Sequence, residues 1–122
     1  MTIQELYQKM DGDYEAAKRV MMMDQMIARF IVKLPNDPTY AALQAAGESM
    51  DPKALFETAH ALKGVAANFG LTKMRDLASD ITEEFRPGSE RTMSDADVQE
   101  KLSAIRELYE KAMAGIREFT AG

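Results

Sequence analysis

The sequence predicts an all-α protein, and three observations carry that reading. Good helix formers dominate: Ala, Met, Leu, Glu, Lys and Gln. No run of alternating β-branched residues is bounded by turn signals, so nothing reads as a strand. In the last segment Val98, Leu102, Ile105, Tyr109, Ala112, Ile116 and Phe119 alternate steps of four and three, the seam of a helix packed along its length. Short connections between long amphipathic helices favour antiparallel neighbours. The expected architecture is therefore an antiparallel up-and-down four-helix bundle with an additional short N-terminal helix or helices. The 122 residues are expected to form a single domain, 1–122, long enough to hide roughly two-thirds of the unfolded surface.

The punctuation predicts each element in turn. A short amphipathic opening ends at "DGD", Asp11 to Asp13. A helical stretch over about 13–34, with a break inside it, stops at "LPNDP", where Asn36 or Asp37 can cap a helix over 38–47. "GESMDP" ends that helix and puts Asp51 at an N-cap and Pro52 at the first position of a helix over 52–69. Gly70 closes it, Thr72 is expected to cap a helix over 72–86, and "RPGSERTMS" separates that from the last, over 95–119. Met21, Met22 and Met23, with Met10 and Met26 nearby, could form a Met-rich binding groove. Core packing is the expected role, since methionine fills gaps in bundle cores.

Composition narrows the function. With no cysteine, disulfides, thiolate metal sites and thiol chemistry are excluded, which fits a cytoplasmic protein. No apolar run approaches the ~20 residues that cross a bilayer. The acidic, polar start "MTIQELYQKMDGDYE" does not read as a signal peptide, and Met1 and the trailing "EFTAG" suit a free-standing chain. A net charge of −5 argues against broad nucleic-acid binding and permits docking on other proteins.

The chain has one histidine, His60, in "AHALKGVAANFG". At about 100° per residue, Leu55, Ala59, Leu62, Ala66 and Phe69 gather into one core stripe. His60 lies roughly 140° from the centre of that stripe, so the imidazole should face out of the bundle. Phe56, Lys63, Gly64 and Ala67 share its face at the offsets that touch on one helix surface. An interior helical glycine costs about 1 kcal/mol against alanine, and Gly64 stands where it clears space beside the ring. Phe56 with the small Ala67 offers a flat apolar docking patch for a partner. Imidazoles titrate near neutrality, so a neutral, nucleophilic nitrogen is available. A phosphoryl group brings roughly two negative charges, which Lys63 can offset. Its transfer needs an in-line approach that bulky neighbours would block.

These residues resemble the signature of histidine-containing phosphotransfer (HPt) domains, H-x-L-K-G with a second glycine six positions on, carried here by His60, Leu62, Lys63, Gly64 and Gly70. "GDYEAAKRVMMMDQMIARFIVKLP", with Phe30 at the usual aromatic position, looks like the family's preceding helix. "LQAAGESMDPKALFETAHALKG" and "LTKMRDLASDITEEFR" are similar to the segments that lead into and follow the histidine helix. The resemblance implies a phosphocarrier in a multistep two-component phosphorelay. His60 would take a phosphoryl group from a receiver-domain aspartate and pass it to another receiver, with Lys63 supporting its oxygens and Gly64 giving access. Response-regulator receivers, including that of a hybrid sensor kinase, would be the partners, and they would bring the Mg²⁺; no cofactor, nucleic acid or membrane is implied. Val65 and Ala66 depart from the small polar residues common after the first glycine, but both fall away from the histidine face. No glycine-rich nucleotide loop is present, so ATP-dependent kinase activity is not expected.

Two rivals stand beside this reading. "ETAH", Glu57 to His60, has the Glu-x-x-His form of di-iron bundles, but those need two such motifs; haem ligation by His60 and a methionine would need an inward imidazole. The other is a non-catalytic adaptor bundle with an incidental surface histidine.

Overall fold

Local capping chemistry starts most of the helices. The computed structural model describes all 122 residues and holds seven α-helices, one 3-10 turn and no strand. The first, α1 (Ile3–Met10), opens on a reciprocal cap: the Thr2 hydroxyl accepts the Glu5 N–H, and the Glu5 carboxylate accepts the Thr2 N–H. Asp13 caps α2 (Tyr14–Met21) by accepting the Ala16 N–H at 3.1 Å. After α3 (Asp24–Ile31) and the 3-10 turn Leu34–Asn36, Asp37 rather than Asn36 supplies the side-chain acceptor for the next helix. It takes the Thr39 N–H at 2.8 Å where α4 (Thr39–Ser49) begins.

In α5 (Pro52–Asn68), Asp51 and Pro52 take the predicted cap and first positions, although the Asp51 side chain makes no cap hydrogen bond. One expectation is corrected at α6 (Thr72–Glu84). Thr72 is already inside the helix, and Leu71, which offers no side-chain acceptor, stands at the cap. Ser94 opens α7 (Asp95–Ala121) by accepting the Asp97 N–H at 3.0 Å.

The methionine triplet departs from the expectation of core packing. Met10 is buried and Met21 and Met26 are half-buried, but Met22 and Met23 are 74% and 49% exposed. The cause is backbone geometry. Met22 has φ 74° and ψ −38°, and the Met23 N–H closes on the Met21 carbonyl at 2.9 Å. This tight turn with positive φ is a strained form for a side-chain-bearing residue. It ends α2, restarts the chain as α3 and turns both side chains out of the core.

Packing follows the apolar stripes. In α5, Leu55, Ala59, Leu62 and Ala66 are buried, as the helical spacing predicts, while Phe69 is half-buried against the core. They meet α6 most extensively, and α4 on another side. From Val98 to Ile116 the α7 seam is buried against α1 and α6, with Phe119 half-buried at its end. That seam is therefore filled within the chain. Tyr109 stacks on Tyr40 of α4, ring centroids 3.8 Å apart and 5° from parallel. Tyr7 of α1 is buried and its hydroxyl donates to the Phe69 carbonyl at 2.7 Å. Burial pushes that hydroxyl's pKa up, so it stays a donor.

Two glycines allow close approach. A Cβ on Gly47 would stand 2.5 Å from Leu102 Cδ1, so α4 nests against α7 there. Gly70 has φ +65°, and a Cβ would meet the Asp13 carbonyl oxygen at 2.3 Å and the Ala17 nitrogen at 2.7 Å. The Asp13 N–H donates to the Gly70 carbonyl at 2.7 Å. The second glycine of the signature is thus a packing requirement: it ends α5 in a left-handed residue and presses that end onto the start of α2.

Candidate functional site

His60 sits near the middle of α5, and its side chain is exposed while Ala59, beside it in sequence, is fully buried. The helix dictates this, because successive side chains diverge by about 100°. An outward imidazole is also not the inward ligand a haem bundle would use. No cluster of three or more His, Asp or Glu side chains forms a metal-binding group.

The four residues predicted to share the imidazole's face lie on the same helix at offsets of −4, +3, +4 and +7, and Phe56 is in contact with the ring. A Cβ built on Gly64 meets no heavy atom within 4 Å, so the glycine opens onto free space. Lys63 is half-buried. Phe56 stacks on His60 with ring centroids 5.9 Å apart and an interplanar angle of 18°. Phe56 is not the freely wet aromatic the helix face alone implied: it is half-buried, packed against the core and overlain by the Arg86 guanidinium 5.4 Å from its centroid. Ala67, one turn beyond Lys63 and Gly64, is half-buried too. Val65 is half-buried and Ala66 fully buried, so neither stands beside the ring as an exposed neighbour.

Two residues of the site escape sequence reasoning. Glu83, in the last turn of α6, and Arg86, just past its end, form a two-pronged pair, with Arg86 Nε 2.8 Å from Glu83 Oε2 and Nη2 3.1 Å from Oε1. The Arg86 hydrogen bond holds the Glu83 carboxyl below its ordinary range, with smaller help from the positive charges of Lys63 and His60. Glu83 is tied to the imidazole's surroundings through Arg86, which lies over the Phe56 ring that stacks on His60. The i, i+3 spacing advertises the ion pair, but the packing of α6 against α5, which brings Arg86 over Phe56, is set between helices.

The arrangement offers an accessible imidazole, a cation one turn away along α5, open ground at Gly64, and a guanidinium over the aromatic ring that stacks on the imidazole. Such a set suits a nucleophile that carries an anion between partners. No helix is long and apolar enough to cross a membrane. Comparison with curated proteins and with solved structures finds no match. A family model described as the Hpt domain matches residues 25–115, from α3 through most of α7 and with the whole histidine helix inside it. The chain belongs to the Hpt domain family, the histidine phosphotransfer modules of phosphorelays.

Proposed function

We propose that this chain is a phosphocarrier that accepts a phosphoryl group on His60 from the aspartyl phosphate of one receiver domain and passes it to the aspartate of another. A ring nitrogen's lone pair attacks phosphorus. The N–P bond forms as the P–O bond to the aspartate breaks, the carboxylate leaves, and the other ring nitrogen keeps its proton. The onward transfer is the same step in reverse on a second receiver. Lys63 faces the phosphoryl oxygens as a charge partner, Gly64 leaves room for the in-line donor, and Phe56 and Ala67 form part of the surface on which the receiver sits. The Mg²⁺ that neutralises the transferring group belongs to the receiver, and the carrier works in the cytoplasm where such receivers are found. This reading takes the helices as an antiparallel up-and-down bundle, and the hybrid sensor kinase as one source of the donor receiver.

The observation that carries it is the open space at Gly64 beside an exposed His60. The test is incubation with phosphorylated receiver domains, followed by assay for acid-labile, alkali-stable label. Wild type gains label and His60→Gln gains none. No label on wild type, or equal label on the variant, rejects phosphotransfer in favour of an adaptor bundle.

A further inference from the structure

The Glu83–Arg86 pair brings a negative charge to a site that should welcome only positive ones. Both side chains are about half exposed, 55% and 45%. A surface pair of this kind is weakly held, so Arg86 can exchange partners. A phosphoryl group on His60 is a stronger partner for a guanidinium than a single carboxylate, because it accepts the same two parallel N–H bonds and carries more charge. Arg86 already lies over Phe56, and Phe56 lies on His60. Charged groups near the imidazole include Glu57 and Lys63 of α5, one turn to either side, with Glu83 in the last turn of α6 and Arg86 just past its end. Among these, Glu83 is the carboxylate whose partner lies over the Phe56 ring, 5.4 Å from its centroid.

We propose that Glu83 is a counter-charge for the phosphorylated state of His60: it holds Arg86 back from the phosphoryl oxygens and repels them itself, so that the group is passed on instead of being stored. Glu83 is a positioning residue that acts through Arg86 and through its own field; it does not touch the reacting atoms. The proposal rests on His60 phosphotransfer. Its consequence is thermodynamic. With Glu83 ionised, the partition of phosphoryl between His60 and a receiver aspartate leans toward the receiver. Once the charge is removed, Arg86 and Lys63 both serve the phosphohistidine.

The experiment is the equilibrium distribution of label between this protein and a receiver domain that labels the wild type, for wild type, Glu83→Gln, Arg86→Gln and the double variant. All four are expected to keep the wild-type helical circular dichroism, since both side chains are on the surface. Glu83→Gln should shift the distribution toward His60 by about two- to fivefold, the range open to a surface charge. The double variant should lose most of that shift. The difference between wild type and Glu83→Gln should shrink in 1 M salt, where the Debye length is about 3 Å; a purely structural effect would not respond in this way. An unchanged distribution in Glu83→Gln, or a shift equally large in the double variant or at high salt, overturns the counter-charge while leaving phosphotransfer intact. Failure of every receiver to label the wild type overturns both.

Discussion

At the scale of single residues, the site depends on what is missing beside the imidazole. Gly64 has nothing within 4 Å of where its Cβ would be, so a larger side chain fits there without disturbing the bundle and projects beside His60. Gly64→Leu is expected to fold with a melting temperature at or above that of wild type, because leucine is the better helix former. Phosphotransfer should slow by about 100-fold, the scale of penalty attached to a misplaced reactant. Single-turnover transfer from a phosphorylated receiver measures it, and an unchanged rate would remove access as the reason for the glycine. Lys63 and Arg86 differ in kind here. The lysine is a point charge on the histidine's own helix, whereas the arginine is a planar fork that reaches over from α6 and lies on Phe56.

At the scale of elements, the two glycines of the signature separate into different jobs. Gly64 leaves open space that the proposed function assigns to the partner; Gly70 serves the fold. Alanine at Gly70 would combine an unfavourable positive φ with contacts of 2.3 and 2.7 Å to the backbone of Asp13 and Ala17. Gly70→Ala should therefore cost about 3 kcal/mol, read as a lower denaturant midpoint at unchanged slope. The long connection between α6 and α7 has its own anchor. The Glu84 side chain is only 2% exposed. It accepts the backbone N–H groups of Thr92 and Met93, the Thr92 hydroxyl and Arg91 Nε, each at 2.8 to 3.0 Å. Burial alone would raise its pKa, but the hydrogen bonds from Met93, Thr92 and Arg91 together outweigh that and bring it down to about 2. This depressed value gives the sign of the pH dependence. The anchor's contribution is complete above about 4.5, the ordinary carboxylate value, and is lost as pH falls toward about 2. Glu84→Gln should lose about 2 kcal/mol at pH 7, and the gap to wild type should narrow from pH 4.5 downward. Thermal melts across that range check it, and a gap independent of pH would show that the charge is not what matters.

At the scale of the whole molecule, the Hpt match begins at residue 25, yet α1 is built into the core. Leu6, Tyr7 and Met10 are essentially buried, α1 packs along α7, and the Tyr7 hydroxyl caps the C-terminal end of the histidine helix at Phe69. The N-terminal helices therefore brace α5 from outside the matched segment. Tyr7→Phe leaves the Phe69 carbonyl without that donor and should cost about 1–2 kcal/mol. Phosphotransfer should stay near the wild-type rate, because His60 is more than two turns away along α5. Denaturant unfolding measures the first and single-turnover transfer the second.

The sequence by itself determined the helices, the stripe that points His60 outward, the face it shares with Phe56, Lys63, Gly64 and Ala67, and the family. All of these follow from spacing along one helix or from a local motif. The fate of Met22 and Met23 was not legible, because apolar residues at helical spacing look alike whether the backbone continues or turns through a positive φ. Nor was the half-burial of Phe56. Only the tertiary structure brought Arg86, with Glu83 bound to it, over the Phe56 ring that stacks on His60: their place depends on how α6 is rotated against α5, and that rotation is fixed by side chains interlocking between helices, not by spacing along one of them.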